Sequence, residues 1–299
     1  MPIAQSMPTH GLTVDHIAHF LTDRSTASAA LMRLGFTVTP FSAQSHRLQP
    51  SGPLLPAGTG NQCIMLNNGY MEFLVPTHDT TNAQQLRTAI DRYTGVHLIA
   101  FGTQTPEADF ARLENAGFAP LPPVALQRQA ETEAGVATAR FTVVRVAPPT
   151  MAEGRIQFCQ HHTPEVVWQP RWLSHANRAV GLAGVLLCVA DPAEAAGRYA
   201  RFTGLPVHQV GATGDSWRLD TDRGYLLFMR ALTLQQWLGI NAPALPWIAG
   251  YVIDSEDMAN TLNIVGGQAL GDRSCVQLPD ALGGVMIFQA AGSAALDPG

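Results

Sequence analysis

Basic runs are missing from this sequence. It carries 18 Lys plus Arg against 23 Asp plus Glu, a formal net charge of -5, and nowhere a cluster of basic residues. A nucleic acid or an acidic membrane surface is therefore not an expected partner. Long apolar runs are missing too, since no stretch approaches the ~18 residues that a membrane-spanning helix needs. Cysteine is scarce: Cys63, Cys159, Cys188 and Cys275 stand far apart and form no C-x-x-C pair. That excludes a disulfide framework or a zinc knuckle and points to buried, reduced thiols. Met1 to His10 has neither a basic nor an apolar segment of secretory type, so a cytoplasmic location is expected. These ten residues and the tail Ala290 to Gly299 read as loose ends.

What is present is a normal globular balance, 46% hydrophobic and 14% charged over 299 residues. That is ample material for a large core in one or two domains. The chain also repeats itself. A short apolar strand followed by a helix that ends in Gly occurs four times. Thr13–Leu21 leads to a helix over Thr26–Leu34 and then Gly35. Val96–Thr103 leads to Glu107–Ala116 and Gly117, and Leu182–Val189 leads to Ala193–Thr203 and Gly204. Trp247–Ile253 leads to Asp257–Val265 and Gly266. Glycine just past a helix suits the left-handed cap position. Each unit closes on Gly, three residues, then Phe: Gly69 to Phe73, Gly154 to Phe158, Gly224 to Phe228 and Gly284 to Phe288. Extended segments such as Gln62–Leu66, Ala139–Val146 and Ser216–Asp220 lie between helix and closing strand. The unit is thus β-α-β-β-β, about 60 to 80 residues long by strand and helix periodicity.

One such unit cannot bury the face of its own curved sheet. The expected fold is α+β, with four modules paired into two bidomains of curved mixed sheets. The first bidomain spans 11–170, with modules 11–80 and 95–168. The second spans 181–290, with modules 181–232 and 246–290. The Pro/Trp-containing stretch Gln169–Val180 separates them.

Equivalent positions differ between the copies. The first strands offer His16, His97, Gly184 and Ala249 or Gly250. The closing strands offer Glu72, Gln157, Leu227 and Ile287. Polar residues occur only in the first two copies. A carboxylate in the apolar strand Tyr-Met-Glu-Phe-Leu-Val needs a cation or donors if it faces inward. Two imidazoles, a carboxylate and an amide oxygen suit one divalent cation, with Zn, Ni, Co, Mn and Fe(II) all acceptable. No nucleotide cofactor is expected, because Gly58-Thr-Gly-Asn61 lacks the following helix and Lys of a phosphate loop.

The repeated unit, with His on the first strand and Glu on the last, resembles the vicinal oxygen chelate superfamily. That group includes glyoxalase I, extradiol dioxygenases and bleomycin-binding proteins. Val14-Asp-His-Ile-Ala, Gly58-Thr-Gly-Asn61, Gly69-Tyr-Met-Glu-Phe73 and Gln160-His-His-Thr-Pro-Glu-Val-Val-Trp168 look like the glyoxalase-like domain of that superfamily. The resemblance implies a metal at His16, Glu72, His97 and Gln157 in the first cleft. It implies Lewis-acid chemistry on a small molecule with vicinal oxygens, of lyase or isomerase type. Ring-cleaving dioxygenase chemistry and non-enzymatic drug binding are the alternatives. Glyoxalase I has a catalytic carboxylate where this chain has Gln157, and an amide is no base at neutral pH. Glu72 is therefore the expected base, with His161 as a second acid/base candidate on the strand face of Gln157. His46 and Asn61 are expected to bind substrate. With two pairs in one chain, a monomer or a homodimer is expected.

Overall fold

Residues 11–46 and 52–299 of the computed structural model are described; the first ten residues lie outside them. Unit one runs β1 (Thr13–Phe20), α1 (Arg24–Arg33), β2 (Ser42–His46), β3 (Leu55–Met65) and β4 (Tyr70–Pro76). A connecting helix α2 (Thr81–Arg92) leads to unit two: β5 (Gly95–Gly102), α3 (Pro106–Asn115), β6 (Pro120–Thr132), β7 (Gly135–Val146) and β8 (Arg155–His161). After the short helix α4 (Pro164–Val167), unit three holds β9 (Ala179–Cys188), α5 (Pro192–Thr203), β10 (Val207–Val210), β11 (Ser216–Asp220) and β12 (Tyr225–Met229). The helix α6 (Ala231–Leu238) leads to unit four: β13 (Trp247–Ser255), α7 (Met258–Val265), β14 (Gln268–Leu270), β15 (Arg273–Gln277) and β16 (Val285–Ala290). All four predicted units are present. The connecting helices α2 and α6 are additions that the repeat did not indicate.

The helix starts follow from their caps. Asp23 Oδ1 accepts from the Ser25 and Thr26 amides at 2.9 and 3.1 Å, and Asp191 Oδ1 accepts from Ala193 and Glu194 at 3.1 Å each. Both satisfy amides that a helix N-terminus leaves open. Within each unit the first and last strands lie side by side and parallel, as His16 opposite Tyr70 and Leu98 opposite Arg155. Units one and two close into an eight-stranded barrel, because β1 pairs with β5 at one seam and β2 with β6 at the other. Units three and four join through β9 and β13 and leave the opposite side open. The short pairing of β13 with β5 makes the whole sheet continuous. Helices α1, α3, α5 and α7 cover the convex face, where Ile17, Phe73, Ile99, Phe158, Phe202, Tyr251 and Phe288 form the main core.

A bulge recurs in every first strand. The registers skip Asp15, His97, Ala183 and Ala249, one in each unit. The closing-strand glycines explain why. A Cβ on Gly69 would lie 2.9 Å from the Asp15 carbonyl oxygen, and one on Gly154 only 2.4 Å from that of His97. Gly224 and Gly284 face the Ala183 and Ala249 carbonyls in the same way, at 3.3 and 2.7 Å. The bulge pushes a carbonyl toward the start of the neighbouring strand, and only glycine leaves room for it. The repeated Gly is thus the partner of the repeated bulge. This pairing fixes the equivalences: His97 corresponds to Asp15, while His16 corresponds to Leu98, Gly184 and Gly250.

The tail differs from the loose end expected. Leu296 is buried, and its amide donates to the Tyr225 hydroxyl at 3.0 Å. Among the described residues no helix is long and apolar enough to cross a membrane.

Candidate functional site

Inside the closed barrel lies a cavity of about 380 Å³. His16, Asn61, Tyr70, Glu72, Leu98 and Gln157 line it, with three arginines, Arg128, Arg145 and Arg155. His16, Glu72 and Gln157 reach it because alternate residues of β1, β4 and β8 face the barrel interior.

His16 is held in a defined orientation. Its Nδ1 donates to Asp15 Oδ2 at 2.7 Å, and its ring stacks on Tyr70 with centroids 4.4 Å apart. His161 donates from Nε2 to the same oxygen at 2.9 Å. Asp15 is fully buried. Burial alone would raise its pKa, but the His161 and His16 rings outweigh that and hold the carboxyl well below the usual carboxylate range. An ionised carboxylate only accepts hydrogen bonds, so both imidazoles carry their proton toward it. His16 Nε2 is left with a lone pair facing the cavity. Asp15, His16 and His161 together place ligand atoms within 4.8 Å of one another, a grouping able to hold a metal ion. A carboxylate behind an imidazole is also the common support of a metal-binding histidine. Asp15 was not among the expected site residues. Reading Val14-Asp-His-Ile-Ala against Val96-His-Leu-Ile-Ala would have found it.

Glu72 is 7% exposed and faces the cavity. The side-chain amides of Asn61 and Gln44 both donate to its Oε1, Gln44 at 3.0 Å. Oε2 is left for another partner. Asn61, expected to touch substrate, thus positions Glu72 as well as lining the cavity. The Gln157 amide makes no hydrogen bond among the described residues. An imidazole nitrogen, a carboxylate oxygen and an amide oxygen therefore line one cavity. This donor set fits a divalent cation.

His97 is not brought to this space. Its Nε2 donates to the Tyr93 carbonyl at 2.8 Å, and its ring stacks between Tyr93 and Phe20 at 3.9 and 5.4 Å. Burial pushes its pKa down to about 4. As the bulge residue it is out of step with the strand's alternation, and Leu98 takes the cavity position. His161, expected as an acid/base group, is enclosed by Phe141, Trp168 and Tyr70 and acts on the site through Asp15. His46 ends β2, where it pairs with Leu55 and Leu126, and its side chain lies outside the described residues. His19, on the other face of β1, bonds Leu282 and Tyr251 across the junction with unit four. Cys159 lines the cavity, but burial raises its thiol well above the ordinary range, so it is no ready nucleophile.

The second cleft is filled. Tyr225 lies over Gly184, where a Cβ would come within 2.5 Å of its ring. Leu227 and Ile287, at the positions of Glu72 and Gln157, pack with Leu234 and Leu238 of α6 and with Leu296 of the tail.

Comparison with known proteins agrees with this architecture. The family profile described as a glyoxalase-like domain matches residues 14–203. No curated protein matches the chain in sequence. A hypothetical protein from Staphylococcus aureus superposes with a TM-score of 0.63 at 12% identity, covering 93% of this chain and 99% of its own. A mutant of 4-hydroxymandelate synthase from Streptomyces coelicolor gives a TM-score of 0.58 at 13% identity, covering 98% of this chain and 96% of its own. A fusion of a xylose isomerase-like TIM barrel with a 4-hydroxyphenylpyruvate dioxygenase gives 0.59 at 11% identity, covering 97% of this chain and 51% of its own. At these identities the neighbours establish the fold.

Proposed function

We propose, because the chain belongs to the glyoxalase-like domain family of the vicinal oxygen chelate superfamily, that its first cleft is the active site of a metal-dependent enzyme. The substrate would be a small molecule with vicinal oxygens, and the reaction of lyase or isomerase type. The observation that carries this reading is the Asp15–His16 pair aimed into a cavity that also holds Glu72 and Gln157. His16 Nε2, Glu72 and the Gln157 amide oxygen would hold the cation. When bound, it supplies Lewis acidity to adjacent substrate oxygens. Asp15 keeps His16 in the tautomer that presents Nε2. Asn61 and Gln44 keep Glu72 turned inward and leave Oε2 to hold the cation and, on release from it, to accept a proton from a carbon beside a substrate carbonyl. The barrel wall of Leu98, Val143 and Leu74 excludes water from that transfer.

Metal analysis tests this reading. Protein purified under Zn, Mn or Fe(II) replete conditions should carry about one equivalent, and His16→Ala should carry little. Iron-dependent uptake of O2 would shift the chemistry to the dioxygenase alternative, the activity named for one structural neighbour. A second reading, a binder without chemistry, is favoured by Leu98 standing where a second histidine was expected. It predicts ligand binding with no stoichiometric metal.

A further inference from the structure

The cavity holds more positive charge than its own residues neutralise. Arg145 projects from β7 directly opposite Gln157 of β8, and Arg155 sits two residues earlier on β8, on the same face. The Arg145 side chain has neither a hydrogen bond nor an ion pair among the described residues, and its Nε is buried without a partner. Arg155 donates from Nη2 to the neutral Asn82 Oδ1 at 2.9 Å and lies over the Phe20 ring at 5.6 Å. Neither guanidinium has a carboxylate in ion-pair contact. Two like charges sharing one partly desolvated space are costly without a counter-ion. Glu72 can offset one of the two, and Arg128, half-buried between this cavity and a smaller outer pocket, adds a further positive charge.

We propose that Arg145 and Arg155 form the binding site for a carboxylate of the substrate, so that the first cleft takes a small monocarboxylic acid. The inference rests on the reading of this cleft as the substrate site. The planar fork of arginine suits a carboxylate held by paired hydrogen bonds. A carboxylate supplies the negative charge that Glu72 alone does not provide for these arginines. The acid group would lie against β7 and β8, its apolar body against Leu98, Val143 and Phe141, and its far end toward His16 and Glu72. Sequence reading missed both arginines because a lone Arg in a strand reads as a residue facing water.

The test is calorimetric binding of a graded series of monocarboxylates, from acetate through benzoate to 3-phenylpropionate, each beside its neutral amide. At least one acid should bind on the order of tenfold or more tighter than its amide, the scale of a lost charge-assisted pair. Arg145→Met and Arg155→Met should each remove most of that preference, while Arg145→Lys keeps part of it. Wild type stripped of metal with EDTA should keep the preference, which separates this proposal from the metal reading. Amides binding as well as acids throughout the series would overturn it in wild type, with no variant needed. Acid preference unchanged in both methionine variants would overturn it as well.

Discussion

The two halves of this chain are built on one plan and differ in what fills the middle. Tyr70 and Tyr225 occupy the same position on their closing strands. In the first cleft the tyrosine stacks on His16 and helps hold it. In the second it lies over Gly184, which has no side chain to hold. Glu72 and Gln157 face an open cavity, while Leu227 and Ile287 face α6 and the tail. Closure differs in the same sense: the pair with the cavity is a closed barrel, and the filled pair leaves one side open. Polar groups that must stay in place to bind something need a rigid enclosure. A cleft plugged by leucines gains its stability from burial and needs no such seal.

The largest effect that would break this comparison is a charge placed in the filled cleft. Leu227→Glu gives the second pair the carboxylate that the first pair has, but with no amide donors and no cavity. It should cost on the order of 4 kcal/mol by urea denaturation, or prevent folding. The mirror change, Glu72→Leu, should move stability by less than about 1 kcal/mol, because its surroundings already include open space. Next in size is the plug. Leu234 is fully buried, and Leu234→Ala should cost about 2–5 kcal/mol. The cavity of the first cleft should be unaffected, as judged by its ligand affinities.

Another effect concerns pH. Burial lowers the pKa of His19 and His97 from 6.5 to about 4. Between these values the unfolded chain binds protons that the folded chain does not. The stabilisation is complete above pH 6.5 and is lost as pH falls toward 4, by about 1.4 kcal/mol per pH unit for each group. His19→Asn should flatten the urea-derived slope over that window. A slope unchanged in that variant would contradict the assignment. A last change sharpens the comparison within the first pair. Leu98→His supplies the missing imidazole on β5, and should tighten Zn(II) binding measured by competition with a chelator.

The repeat was legible in the sequence because its signals are local. A strand period of two, a helix ended by glycine and a glycine before each closing strand can be read without knowing any contact. The bulge was not legible from one copy, since a single extra residue reverses the alternation that strand reading relies on. That is why His97 was placed in the cleft and Asp15 was overlooked. Glu72 and Gln157 lie on unbulged strands, and the structure brings both to the cavity. The expected extended segment began at Gln62, yet β3 begins at Leu55 and includes Gly58-Thr-Gly-Asn61, where Gly60 makes room for the Phe41 ring. The tail was misread because a few small apolar residues give no periodicity; Leu296 docks only because a cleft is there to receive it.

The central claim is that His16, fixed by Asp15, and not His97, is the histidine that serves a metal in the first cleft. Titration with Co(II), followed by visible absorption, tests it most directly. The account predicts saturation near one equivalent for wild type and for His97→Ala, and loss of the bound spectrum in His16→Ala. Binding that disappears in His97→Ala and survives in His16→Ala would contradict it.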